Sequence, residues 1–359
     1  MKNIYKLSAI VSVFFCSLLL LFVLIKASDN PNTLKNGFVR NIFPFVPQMV
    51  GQTRLSNPLT GICGNTDTHV YFSGKTPNEI IVTDFSLGVV DTFYLRLPFT
   101  QRTLLGFDVF IDSPTVNVFS RNEATFLQYR FNDSNAFLKK LPMRLFTRVI
   151  PMNSPICIFR TFGNNGFKQN FQKINVLSGK VIGQCSDTLM GKQTDAGFST
   201  DGLLQYDDFT KKLVYIQYYD NRFWCMDTSL QLLYIGHTID TVQFNKVKVR
   251  NSLSEDRAKK AGSIMPSAPL KSVNSASITY KGKLFILSSL QADNEKKGDF
   301  ENNSVIDIYN VIDGKYQGSF YIPKKNGDNP SEFKIIKDQI FVLNDNSITA
   351  FSLKYAPFL

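Results

Sequence analysis

Apolar and polar residues alternate in short runs along most of this chain. Between His69 and Leu97 the sequence reads HVYFSG, EIIVTDFSLG and VVDTFYLRL, three runs rich in β-branched and aromatic residues, each closed by a turn signal. Alternation over so few positions predicts strands, and the Gly, Pro, Asn and Asp between the runs predict tight turns. The same unit returns as TVNVFSR, ATFLQYRFNDSN and AFLKKLP, and again as PICIFRTF, NFQKINVLSG and KVIGQC. A fourth copy is LVYIQYY, RFWCMDTSLQ and LLYIGHT; a fifth is KLFILSS, SVIDIYNVIDG and YQGSFYIP; a sixth is QIFVLN with SITAFSLKY. Long helical periodicity is absent from this region.

The middle strand of each copy ends at Asp84, Phe131, Asn175, Asp227, Asn310 and Ser352, giving spacings of 47, 44, 52, 83 and 42 residues. A four-stranded propeller blade takes roughly 40 to 50 residues, which all but one spacing fits. The long spacing has a local cause in residues 242–275, a polar, Ser- and Lys-rich insertion between the fourth and fifth copies. The reading is an all-β fold, a six-bladed β-propeller over residues 38–359, with seven blades as the alternative. The last copy lacks one outer strand. A closed ring must join its chain ends, so GFVRNIFPF, Gly37 to Phe45, is expected to supply that strand.

Ahead of the repeats, Leu7 to Ile25 is a run of 19 residues without a charge. As a helix it covers about 28 Å, close to the roughly 30 Å of a bilayer's hydrocarbon core. Lys2 and Lys6 precede it, which places the N-terminus in the cytoplasm and the rest outside. The expected organisation is a cytoplasmic N-terminus (1–6), a transmembrane signal anchor (7–25) and a linker (26–37) before the propeller. The expected address is the cytoplasmic membrane, single-pass, with the C-terminal domain on the periplasmic side. A cleaved signal peptide is the competing reading, with a weak site after Ala27, although the apolar run exceeds the usual 7 to 15 residues. Cys16 lies inside the run behind Phe14 and Phe15, which does not support a lipobox.

With 43% hydrophobic and 19% charged residues the chain has the composition of a packed globular protein. Its net charge of +11 raises nucleic acid as a partner, but the basic residues are spread along an exported chain, and nucleic acid is set aside. The densest basic stretch, Asn245 to Lys260, reads as a solvated loop within the insertion. Cys63, Cys157, Cys185 and Cys225 sit in apolar, strand-like segments and read as small buried hydrophobes. No disulfide is expected within the chain. Cys63 and Cys225 fall in the first and fourth copies, and one strand separates Cys157 from Cys185, about 9 to 10 Å against a bridging limit of about 7 Å.

Catalytic signatures are missing. There is no GxSxG elbow and no HExxH, and with His69 and His237 as the only histidines a three-histidine metal site is excluded. The acidic stretches Gln291 to Asn303 and Lys324 to Glu332 lack the DxDxDG alternation of a calcium loop and read as turns. No catalytic residue, cofactor or metal is implied. The best local candidates for a ligand face are His237 and Asp240 in GHTIDT, because a loop on one face of a propeller can reach the channel. The competing reading has Thr238, Asp240 and Thr241 satisfying backbone groups at a strand exit. Trp224 reads as core or inter-blade packing.

The stretch Gly202 to Thr241, GLLQYDDFTKKLVYIQYYDNRFWCMDTSLQLLYIGHTIDT, resembles a family of bacterial envelope proteins with TolB-like six-bladed β-propellers. GNTDTHVYFSGKTPNEIIVTDFSL and GKLFILSSLQADNEKKGDFENNSVIDIYNVIDGKYQGSFYIP fit the same family, so the resemblance spans most of residues 38–358. It implies fold and envelope location and carries no activity. The functional expectation is a binding or assembly module for a protein, peptide or surface glycan, anchored to the membrane. An exported lyase or hydrolase acting on a small molecule or sugar in the channel is the alternative.

Overall fold

The computed structural model describes residues 2–28, 35–76, 78–88, 90–95, 106–131, 136–162, 168–185, 189, 195, 197–243, 249–252, 263–266, 272–324, 327 and 329–359. Helix α1 spans Lys2–Ser28, and its side chains from Val11 to Leu24 are exposed. Among the described residues no helix is long and apolar enough to cross a membrane. Residues 29–34 of the expected linker lie outside the described residues.

From Gln48 onward the chain is strands and turns. After β1 (Gln48–Arg54), the first meander is β2 to β5 (Leu59–Asn65, His69–Gly74, Glu79–Asp84, Val90–Tyr94). The second is β6 to β9 (Phe107–Asp112, Thr115–Ser120, Thr125–Arg130, Phe137–Lys140), and the third β10 to β13 (Phe146–Pro151, Ile156–Phe162, Gln169–Asn175, Lys180–Gln184). The fourth is β14 to β17 (Gly202–Asp207, Lys212–Gln217, Arg222–Met226, Leu232–His237). A small antiparallel pair follows, β18 (Val249–Ser252) with β19 (Ser263–Pro266). The fifth meander has β20 and β21 (Asn274–Tyr280, Lys283–Ser288), a short helix α2 (Lys297–Asn302), then β22 and β23 (Asn303–Asn310, Tyr316–Pro323). The chain ends with β24 to β26 (Glu332–Ile336, Gln339–Asn344, Ser347–Ser352).

Among the described residues these strands make six four-stranded antiparallel units, the first two joined by one parallel pairing, Gly64 with Ile111. Apolar clusters fill the space between consecutive units. Tyr71 and Ile80 meet Val116 and Leu127; Phe119 and Phe126 meet Phe146 and Phe159; Phe171 meets Tyr215 and Trp224. Phe223 meets Leu284 and Tyr309, Phe285 and Phe320 meet Phe333 and Ile340, and Phe72 and Ile81 of the first unit meet Phe341 and Ile348 of the last. The chain of interfaces thus returns to its start, and the first strand of each unit lies innermost. This is a β-propeller arrangement, held by burial of large apolar side chains worth about 1.5–3 kcal/mol each.

Three details differ from the sequence expectation. The strand that completes the last unit is β1, paired with β26 from Gln48↔Ser352 to Arg54↔Ser347, and not Gly37–Phe45. Gly37–Phe45 lies against the fifth unit instead, with one isolated β-bridge, Ile42↔Ser319, the Arg40 side chain buried in that unit, and Phe43 and Phe45 packed on Phe358 at 5.4 and 5.6 Å. An outermost strand needs backbone partners and little burial, so the polar QMVGQTR serves there while the apolar segment covers core. The insertion stops short of residue 275, because Asn274 already begins β20; its residues 244–248, 253–262 and 267–271 lie outside the described residues. The innermost strands, β2, β6, β10, β14, β20 and β24, were not among the predicted runs.

The described cysteines are free thiols, with Cys63, Cys157, Cys185 and Cys225 buried in the inter-unit clusters. Burial pushes the Cys63 and Cys157 thiols up, as expected of inert core cysteines. Trp224 packs between the third and fourth units.

A candidate ligand site in the central channel

The six innermost strands run the same way along one axis, and every second side chain faces it. Two cavities lie on that axis. One, of about 290 Å³, opens toward the face where these strands begin and draws lining residues from all six, including Thr60, Asp108, Val149, Gln205, Ser277 and Glu332. The other, of about 570 Å³, opens toward the strand ends near Asn65, Asp112 and Pro155. Phe110, Ile150, Gln205, Ile278 and Lys334 line both, so the two form one channel with a narrow middle.

Charge enters the narrower cavity at three places. Asp108, on β6, takes a two-pronged contact from Arg121, with Nε to Oδ2 at 2.7 Å and Nη2 to Oδ1 at 2.5 Å. That pair is neutral as a unit. Glu332, the first residue of β24, has Oε2 3.2 Å from the Ile62 N–H, which donates to it. Gly61 makes room for this carboxyl, since a Cβ there would stand 3.0 Å from Oε2. Burial pushes the Glu332 carboxyl up to about 7, with Asp108 adding to the effect; Lys334 and the Ile62 N–H oppose it. Lys334, two residues on and on the same side of β24, makes no hydrogen bond or ion pair among the described residues.

Neutral groups complete the lining. Gln205 donates through Nε2 to the Ser277 carbonyl at 2.9 Å, tying β14 to β20. The Ser277 hydroxyl is buried with no hydrogen-bond partner, and the residue is 7% exposed. Thr60 donates to the Gly74 carbonyl at 2.8 Å.

At the rim of the same face two more guanidiniums converge on Asp201. Arg148 reaches Oδ2 at 3.1 Å and Arg160 reaches Oδ1 at 3.0 Å. Arg148 also holds the Gly202 carbonyl and the Tyr218 hydroxyl, and the fully buried Arg160 holds the Gly197 and Thr200 carbonyls. These contacts fix the loop entering β14, a structural task.

His237 and Asp240 lie away from the lining. His237 ends β17, the outermost strand of the fourth unit; it is exposed, with Nδ1 3.2 Å from Asn221 Oδ1. Asp240 is buried, and its carboxylate accepts from the Thr238 hydroxyl at 2.5 Å and the Val242 N–H at 2.9 Å. Burial pushes its carboxyl up, against those two donors. Its own carbonyl accepts from Asn221 Nδ2 at 2.9 Å. The pair shares Asn221 as a neighbour, and Asp240 spends its oxygens on the turn that leaves the strand. Neither residue lines either cavity. The residues the sequence reading passed over are Ser277, Glu332 and Lys334, all on innermost strands. Among the described residues no group of three His, Cys, Asp or Glu side chains is placed to hold a metal.

No family model matches this chain, and no curated protein matches it. Solved structures similar to it include BamB from Moraxella catarrhalis, 11% identical over 89% of this chain and 95% of that one, with a TM-score of 0.42. The Pan2 WD40 domain of Neurospora crassa is 7% identical over 87% and 97%, with a TM-score of 0.49. A streptogramin B lyase is 13% identical over 84% and 96%, with a TM-score of 0.48. At such identities these are similarities of fold.

Proposed function

We propose that this protein is a six-bladed β-propeller held by its N-terminal helix on the outer, periplasmic side of the cytoplasmic membrane, where it binds a protein, peptide or surface glycan. The observation that carries the binding role is the channel: the innermost strands of six four-stranded units supply one cavity whose lining keeps, among the described residues, an unpaired lysine and an unpartnered buried hydroxyl. Sheets locked by their neighbours present such groups without reorganisation, which favours recognition.

Support for the anchor comes from the uncharged run Leu7 to Ile25 and from the exposed apolar side chains of α1, a surface of the kind that marks a membrane or interaction site. Asn36 and Gly37 donate to the Asp293 carboxylate, and the Asn36 carbonyl accepts from Thr241, so the chain joins the propeller on the face where the innermost strands begin. Seven residue steps from Ser28 to Lys35 reach at most about 25 Å. The narrower cavity therefore opens toward the membrane in this arrangement.

A second reading, an exported lyase or hydrolase, draws on Glu332, whose carboxyl near pH 7 suits general acid–base work. The other carboxylate of the narrower cavity, Asp108, is already held by Arg121. The binding reading is tested by capturing partners from solubilised membranes with the full chain and with Ser277→Phe, which fills the cavity. The expected result is loss of the partner with unchanged strand content by circular dichroism; an unchanged partner profile would remove the channel as the recognition element. Protease added to spheroplasts should digest the propeller, and protection there would refute the outward orientation.

A further inference from the structure

The channel's charges select among ligands. Arg121 is neutralised by Asp108, which leaves Lys334 as the one uncommitted cation of the narrower cavity among the described residues. Lys334 lines both cavities and so stands at the narrow middle, with Glu332 on the side where the innermost strands begin. One free positive charge in a low-dielectric enclosure calls for one negative charge and leaves a second without a partner. Around it the groups are hydroxyl and carboxyl: the buried Ser277 hydroxyl has no partner, and the outer Glu332 oxygen has none among the described residues. The cavity, at about 290 Å³, holds roughly ten water volumes and lies at the small end of ligand sites.

Resting on the binding-module reading above, we infer that the narrower cavity binds a small hydroxylated monocarboxylate of the sugar-acid type, its carboxylate on Lys334 and its hydroxyls on Ser277, Gln205 and Glu332. Protonation of Glu332 governs the affinity. A neutral Glu332 donates a hydrogen bond to the ligand, whereas an ionised one pairs with Lys334 and repels the ligand's charge; Asp108, the other carboxylate facing it, stays compensated by Arg121. With Glu332 near 7, the competent protein falls from about ten-elevenths at pH 6 to about one-eleventh at pH 8, about a tenfold loss of affinity.

The test is calorimetric titration of the full chain in detergent with D-galacturonate, D-galactose, inorganic phosphate and tri-galacturonate at pH 6 and pH 8. Galacturonate should bind at least tenfold more tightly than galactose or phosphate, and about tenfold more tightly at pH 6 than at pH 8. Lys334→Met should remove the preference for acid over neutral sugar. Glu332→Gln, a standing mimic of the protonated form, should hold the pH 6 affinity at both pH values, an outcome a purely structural role for Glu332 does not produce. A tighter trisaccharide would identify the source as a glycan chain, and a weaker one a free acid. Absence of galacturonate binding at millimolar concentration, equal binding of acid and neutral sugar, or a flat pH response in the wild type would overturn the inference. If Ser277→Phe loses its membrane partner while galacturonate fails to bind, the binding module stands and this ligand class falls.

Discussion

Replacing Arg40 by Met should be among the most damaging changes in the propeller, and the structure gives the size of the effect. Arg40 comes from the segment that precedes β1 and is buried against the fifth unit, with its side chain fully enclosed. Its Nε and Nη2 donate to Asp307 at 2.8 and 3.1 Å, and Nη1 donates to Glu295 at 2.6 Å and the Leu290 carbonyl at 2.8 Å. Nη2 also donates to Ser288 at 2.7 Å, so all five N–H groups are used. Burial disfavours the charge, but Asp307 and Glu295 outweigh it and the pKa is raised. Methionine keeps the bulk of the stem and strands two buried carboxylates. Asp307 keeps only the Ser319 hydroxyl from this set, and Glu295 keeps Tyr321 and the Ala292 N–H. Breaking a buried ion pair from one side costs about 3–5 kcal/mol. At a denaturant slope of about 3 kcal/mol/M this lowers the urea midpoint by about 1–2 M. Trp224, the only tryptophan and buried in the core, reports the transition by fluorescence. Adding Asp307→Asn and Glu295→Gln should return most of the loss. A deficit under about 1 kcal/mol, or no recovery in the triple variant, would refute the buried-cluster account.

Two further outcomes follow from the innermost strands. Glu332 titrates near 7 when folded against an ordinary 4.5 when unfolded, so the folded state holds the extra proton and stability falls as pH rises from 4.5 to 7. Glu332→Gln should therefore flatten that slope and melt higher than wild type at pH 8, by at most about 3 kcal/mol, while matching it near pH 4.5; equal melts at both pH values would contradict the buried carboxyl. Gly64 is the residue through which β2 meets β6, and a Cβ there would stand 2.2 Å from the Ile111 carbonyl oxygen. Gly64→Ala should cost about 1–3 kcal/mol by forcing the strands apart, visible as a lower thermal midpoint, and an unshifted midpoint would show that this contact is slack.

The repeat was legible because the second strand of each unit is largely enclosed. HVYFSG, TVNVFSR, PICIFRTF, LVYIQYY, KLFILSS and QIFVLN are buried nearly throughout, so each appears as a continuous apolar run. The innermost strands carry no such signature. LTGICGN, GLLQYD and EFKII turn residues toward the channel, and their mixed polarity resembles loop sequence. The residues that escape a hydrophobic-pattern reading are therefore those facing the axis, where Ser277, Glu332 and Lys334 lie. GHTIDT stood out for a scarce histidine beside an aspartate, yet Asp240 spends its oxygens on Thr238 and Val242, the backbone work that Asx turns do at any strand exit. In a ring of sheets the pattern that identifies the fold and the residues that form the cavity belong to different strands. In such a chain the polar side chains of the channel sit in the mixed segment immediately before each apolar run.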